Sequence, residues 1–166
     1  MTRNELVQEA LYMAENITQN FKSVDGSCLY MSALLAAMMN DQFSVETRFV
    51  TGSLSVAGYT IFAHNPIKPK LTKKSDVIEQ WDGHAWVELD DLIFDLSVFR
   101  TVFSTASTSR IQSLFEARFD RGSAYLVGQK NKLIEMGVVY TPLELLSDDD
   151  ATIFIQNADR MGLINY

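Results

Sequence analysis

From Cys28 to Met39 the chain carries Leu29, Met31, Leu34, Leu35, Met38 and Met39, with little polar material between them. Wound as an α-helix, this stretch is apolar almost all round. Such a helix has no face to give to water, so it must lie at the centre of the fold with other elements packed about it. Asp25-Gly26-Ser27 forms a turn just before it, and Asn40-Asp41 ends it. It is interrupted by Ser32 and too short to span a bilayer. The chain has 166 residues, enough for one domain, 1–166, with a real core around such a helix.

The other segments supply the packing. Thr2-Arg3-Asn4-Glu5 reads as a capping box, and Leu6, Ala10, Met13, Ile17 and Phe21 follow at helical spacing, so a first helix runs to about Asn20. Strands are expected at Val45–Thr51, Tyr59–Ala63, His84–Leu89 and Leu92–Ser97, the last two joined at Asp90-Asp91. Asn65 to Lys74, with its prolines and lysines, reads as an exposed loop, and Ser104 to Ser109 as a Ser/Thr-rich connection. A helix is expected from about Arg110 to Phe119. Residues 123–139 give no clear period. Thr141-Pro142-Leu143-Glu144 reads as a short helix start, with Pro142 at its first position. Ser147 and the aspartates after it open a last helix, closed by Gly162. Helices, then antiparallel strands, then helices make the class α+β.

Composition excludes several roles. The net charge is −7 with no Lys/Arg block, which does not suit neutralising nucleic-acid phosphates or sitting on an anionic membrane. The first residues, MTRNELVQEALYMAEN, mix charges and amides into the apolar positions, unlike a secretory signal. The cytoplasm is the default. A single cysteine permits no internal disulfide and leaves too few sulfur ligands for a structural zinc, so neither metal nor other cofactor is expected.

That cysteine, Cys28, stands where a turn becomes a helix. A helix N-terminus favours thiolate, the nucleophilic form, and its N–H groups face any oxyanion formed there. A buried, inert cysteine can begin an apolar helix equally well. The second element is WDGHAWVELDDLIFDLS. Strand alternation puts His84, Trp86 and Glu88 on one face and Ala85, Val87 and Leu89 on the other. An even two-residue turn at Asp90-Asp91 then sets Leu89 against Leu92, Glu88 against Ile93 and Trp86 against Asp95. Asp95 thus shares the face of His84, one diagonal step away, within reach for a carboxylate orienting an imidazole.

GSCLYMSALLAAMMNDQFSVETRFVTGSL resembles the nucleophile helix and following strand of transglutaminase-like cysteine enzymes, a branch of the papain-like fold. GHAWVELDDLIFDLS resembles their His and Asp strands, in the same order Cys, His, Asp. His84 follows Cys28 by 56 residues (84 − 28), and Asp95 follows His84 by 11 (95 − 84). Papain-type proteases place their histidine much further on, so the compact branch fits better. The match covers about 26–97; residues 100–166 remain unassigned. The resemblance implies a papain-like α+β core with Cys28 as nucleophile, His84 as base and Asp95 as orienter. It implies a hydrolase, a peptidase or amidase, working through a thioester on a peptide or protein substrate. A transglutaminase or acyltransferase with the same triad is the alternative, and a non-catalytic binding module on the same fold is another.

Many members of the family place an upstream polar side chain in the oxyanion hole, for which Gln19 and Asn20 are the candidates. Trp81 and Trp86 flank His84 and are candidate cleft walls, although tryptophans beside a hairpin also serve as packing. His64, in FAHNP, has no carboxylate at hairpin distance and reads as a loop histidine. Asp148, Asp149 and Asp150 lack the spaced oxygen ligands of a calcium loop and read as helix-capping residues.

Overall fold

The computed structural model describes residues 1–22, 24, 26–68, 81–104 and 107–165. In chain order the elements are α1 (Arg3–Asn20), α2 (Ser27–Gln42), β1 (Thr47–Val56), β2 (Tyr59–Phe62), β3 (His84–Leu89), β4 (Leu92–Asp95), α3 (Val98–Val102), α4 (Ser109–Glu116), β5 (Leu126–Gln129), α5 (Lys130–Glu135), β6 (Val138–Leu146) and α6 (Asp148–Arg160). The mixture of helices with an antiparallel sheet is α+β, as the sequence suggests. None of the described helices is long and apolar enough to cross a membrane.

Local signals account for the first, second and last helices. The Thr2/Glu5 capping box forms at the start of α1, and Ser147 with Asp150 forms another at the start of α6, so Asp150 serves as a capping residue, with Asp148 and Asp149 beside it in the first turn. Gly162 follows α6 at φ 62°, a conformation that favours glycine. α2 is buried on nearly every side: α1, α6, β1 and β3 all pack against it.

The sheet runs β2-β1-β3-β4-β5, with β6 also paired to β1. β1 is longer than its alternation alone suggests because it has three partners. β6 follows one edge, while β3 and then β2 share the other. Both faces are covered. Ala85, Val87, Leu89 and Phe94 join α1, α2 and α6 in one core, and Trp86, Ile93 and Leu126 join Phe99 and Phe115 of the second helical layer in another. The predicted register of β3 and β4 holds: Leu89 opposes Leu92, Glu88 opposes Ile93, and Val87 opposes Phe94. Asp90 takes φ 52° to make this two-residue turn.

Three expectations are corrected. Thr141 to Glu144 begins no helix; it lies within β6. Thr51 opposes Glu144 and Gly52 opposes Pro142, so Leu143 is skipped in the register. That bulge accommodates a proline, which has no N–H for a ladder. β6 presses so close to β1 here that a Cβ on Gly52 would collide with the Thr141 carbonyl and the Trp86 ring. Second, the segment from Asn65 is exposed at Asn65, Pro66 and Lys68 but not throughout. Ile67 is fully buried, and Glu144 accepts from its N–H at 2.8 Å and from that of Lys68 at 3.2 Å. Residues 69–74 of the expected loop lie outside the described residues, as do Thr105 and Ala106 of the Ser/Thr-rich connection. Third, the segment 123–139, without a clear period, divides into β5, α5 and the start of β6. The C-terminal third thus completes both the sheet and the core.

Candidate active site

Cys28 is the second residue of α2 and His84 the first of β3, so helix start and strand end meet. Gly26 caps α2 at φ 77°, a left-handed turn that brings the chain sharply into the helix. The Cys28 side chain lies close enough to His84 to act on its imidazole. On the other side of the ring, His84 Nε2 lies 2.5 Å from Asp95 Oδ2. With Nε2 committed to Asp95, Nδ1 is the nitrogen left for the sulfur.

The carboxylate is held at both oxygens. Oδ1 accepts the N–H groups of Ser97 at 3.2 Å and Val98 at 3.0 Å, where the chain turns into α3. Oδ2 accepts the Tyr140 hydroxyl at 2.8 Å as well as facing the imidazole. Asp95 is wholly buried, and so, almost wholly, is His84. Burial on its own would lower the imidazole pKa, but the Asp95 charge and hydrogen bond, with a smaller contribution from Cys28, push it up to about 10. Burial and the same carboxylate raise the Tyr140 phenol well above its ordinary value, so it stays a neutral donor. Phe62 stacks on the ring of His84 with centroids 4.2 Å apart and planes at 11°. The imidazole is therefore fixed by a carboxylate at one edge and an aromatic face across its plane.

Cys28 and His84 line an open cavity of about 340 Å³, together with Val24, Ser27, Phe62, Trp81, Asp82, Arg100, Thr101 and Ser104. This volume is at the small end of ligand sites. Trp81 reaches the cavity. Its Nε1 donates to the Asn65 carbonyl at 2.7 Å, and its ring lies over Gly83, where a Cβ would strike it. Trp86 does not. It is fully buried in the second core, edge-on to Tyr140, with Nε1 donating to Glu88 Oε1 at 3.2 Å. Position 86 is followed on its face by Glu88, whose Oε2 is paired with Arg48 and Lys130, both at 2.8 Å. Trp86 thus serves as core packing, tied through its N–H to the buried Glu88.

The structure does not bring Gln19 or Asn20 to this cavity. Gln19 is bonded to Glu15 along its own helix, and Asn20 to the Asn16 carbonyl, lining a different depression beside Phe21 and Leu34. His64 also lies elsewhere, 3.2 Å from Thr51 Oγ1 in a network with Glu144. Sequence reasoning missed Tyr140, Phe62 and Arg100. Only Arg100, close after Asp95 in the chain, carried a signal that could have been noticed, a cation three residues (100 − 97) beyond the end of the recognised segment.

No known family model, curated protein or solved structure matches the chain.

Proposed function

We propose that the protein is a cysteine-dependent hydrolase of amide bonds on a papain-like, transglutaminase-like core, with Cys28 as nucleophile, His84 as base and Asp95 as the residue that orients it. The observation that carries this reading is the unbroken chain of contacts from the Cys28 sulfur through His84 to a doubly anchored Asp95, open to a cavity at the sulfur end. A buried structural cysteine has no need of an imidazole oriented by a buried carboxylate beside it or of space in front of it.

His84 takes the thiol proton, and the thiolate attacks the amide carbonyl. The oxyanion so formed meets the Cys28 N–H at the start of α2, since those of Ser27 and Leu29 already donate to the Val24 and Gly26 carbonyls. The imidazolium gives its proton to the departing amine as the C–N bond breaks, leaving a thioester on Cys28. Water, deprotonated by the same imidazole, then attacks the thioester carbonyl. The carboxylic acid leaves and the thiol is restored. Asp95 holds Nε2–H, so that Nδ1 faces the sulfur.

The test is labelling with an electrophilic peptide probe, followed by mass spectrometry of the adduct, on the wild type and on Cys28→Ala. A single adduct at Cys28 at neutral pH, blocked by prior alkylation, is the expected result. A wild-type thiol that stays unlabelled until the protein is denatured would remove the nucleophile from this reading.

A further inference from the structure

We propose that Arg100 is a binding residue for a carboxylate on the acyl side of the substrate, so that the cavity before Cys28 takes acidic acyl groups. This rests on the reading of Cys28 as the nucleophile. Arg100 lies in α3, the short helix that begins where Asp95 anchors the chain, and it lines the same cavity as Cys28 and His84. Its Nη1 donates to the Phe21 carbonyl at 3.1 Å and its Nη2 to the Thr18 carbonyl, which fixes the guanidinium against the end of α1. These bonds leave Nε and the second proton of Nη2 without a partner among the described residues.

The charge is also unspent. Among the described residues no carboxylate pairs with Arg100, whereas Arg3, Arg48, Arg121, Lys130 and Lys132 all have one. Partial burial lowers its pKa, the mark of a cation denied part of its hydration, yet a guanidinium remains charged there. A guanidinium held by neutral carbonyls, with free N–H groups at a cavity, suits a planar carboxylate, which accepts two parallel hydrogen bonds. The chain carries −7 overall, so the attraction is local to the cavity and not a property of the surface. Asp82, exposed on the same cavity, is placed to favour an acyl group with a single negative charge over a dianion. The size of the cavity limits the group to a small one.

Iodoacetate and iodoacetamide test this without knowledge of the substrate, because they differ only in carboxylate against amide. Each alkylates the sulfur with loss of iodide. In wild type, the iodoacetate-to-iodoacetamide rate ratio at Cys28 should exceed that of Arg100→Gln by roughly tenfold or more, the effect of one hydrogen bond to a charged group. Arg100→Lys should keep part of the preference. Propionate should slow alkylation of the wild type by iodoacetamide, and propionamide should not. This comparison stands if Arg100→Gln fails to fold. Equal ratios in wild type and Arg100→Gln, or equal protection by propionate and propionamide, would overturn the assignment while leaving Cys28 as nucleophile. Slow alkylation of the native wild type by both reagents would overturn the nucleophile and this proposal with it.

Discussion

Tyr140 donates its hydroxyl to Asp95 Oδ2 over 2.8 Å, on the same oxygen that faces His84. The tyrosine comes from β6, 45 residues after the aspartate it holds. Asp95 therefore has two kinds of support: backbone N–H groups from its own turn, and a side chain delivered by long-range pairing of β6 with β1. Tyr140→Phe should remove about 1.5 to 3 kcal/mol of stability, as expected for a buried hydrogen bond to a charged group. Because Ser97, Val98 and His84 still hold the carboxylate, turnover should fall by no more than about tenfold, seen in kcat and not in KM. Urea denaturation and steady-state kinetics on the same preparation check both halves.

The His84–Asp95 pair makes stability depend on pH in a defined direction. The imidazole pKa is raised from 6.5 to about 10 on folding. A group raised in this way stabilises the folded state fully below its unfolded value, and the contribution is lost as pH climbs through the folded value. The difference in unfolding free energy between wild type and His84→Gln should therefore be largest near pH 6 and shrink by a few kcal/mol, on the order of one per pH unit, up to about pH 10. Taking the difference removes the titration of lysines and exposed tyrosines. A gap that widens with pH would mean that His84 is neutral in the folded protein.

Gly52 lies where β1, β3 and β6 converge, and a Cβ there would meet the Thr141 carbonyl and the Trp86 ring. One obstacle is backbone and the other a fully buried indole, so neither yields cheaply. Gly52→Ala should cost about 2 to 4 kcal/mol through overpacking, more than an ordinary strand alanine. Since Gly52 opposes His84 directly in the β1–β3 ladder, the shift should also slow alkylation of Cys28. Ser53→Ala, one residue along, is the comparison and should remain within about 0.5 kcal/mol of wild type. Thermal melts of the two variants decide it.

The parts of this molecule that were legible in the sequence are those written in local code. Thr2 with Glu5, Ser147 with Asp150, and the two-residue turn at Asp90-Asp91 each act within a few residues, and each formed as read. The alternation of His84 to Leu89 gave the correct faces, although both turned out to be buried. What escaped notice depends on contacts between distant segments. Thr141-Pro142-Leu143-Glu144 has the composition of a helix start, and only the competition from β1, with a bulge to seat Pro142, makes it a strand. Tyr140 and Phe62 reach the site through that same sheet, and no spacing along the chain relates them to His84. Ile67 looked exposed among lysines and prolines because the Glu144 carboxylate that ties it down lies 77 residues away.

Asp95→Asn and Asp91→Asn form the most direct test of the triad, because each exchanges one aspartate for its amide and changes the net charge equally. Asp95 is wholly buried against His84, whereas Asp91 lies in the hairpin turn and pairs with Arg3 in an exposed ion pair. At position 95 an amide keeps the shape but can present N–H₂ to the ring, which favours the tautomer with its proton on the wrong nitrogen. In serine-protease triads that change costs about four orders of magnitude in turnover. A thiolate–imidazolium pair forms in part without the third residue, so a loss of about one to three orders is expected, roughly 1.4 to 4 kcal/mol of barrier. The Asp95 variant should also lose the stability difference between pH 6 and 10, since the charge that raises the His84 pKa is gone. At position 91 an exposed ion pair is worth at most about 1 kcal/mol, and turnover should be unchanged. Equal activities in the two variants would show that the contact between His84 and Asp95, however close, plays no part in the chemistry of Cys28.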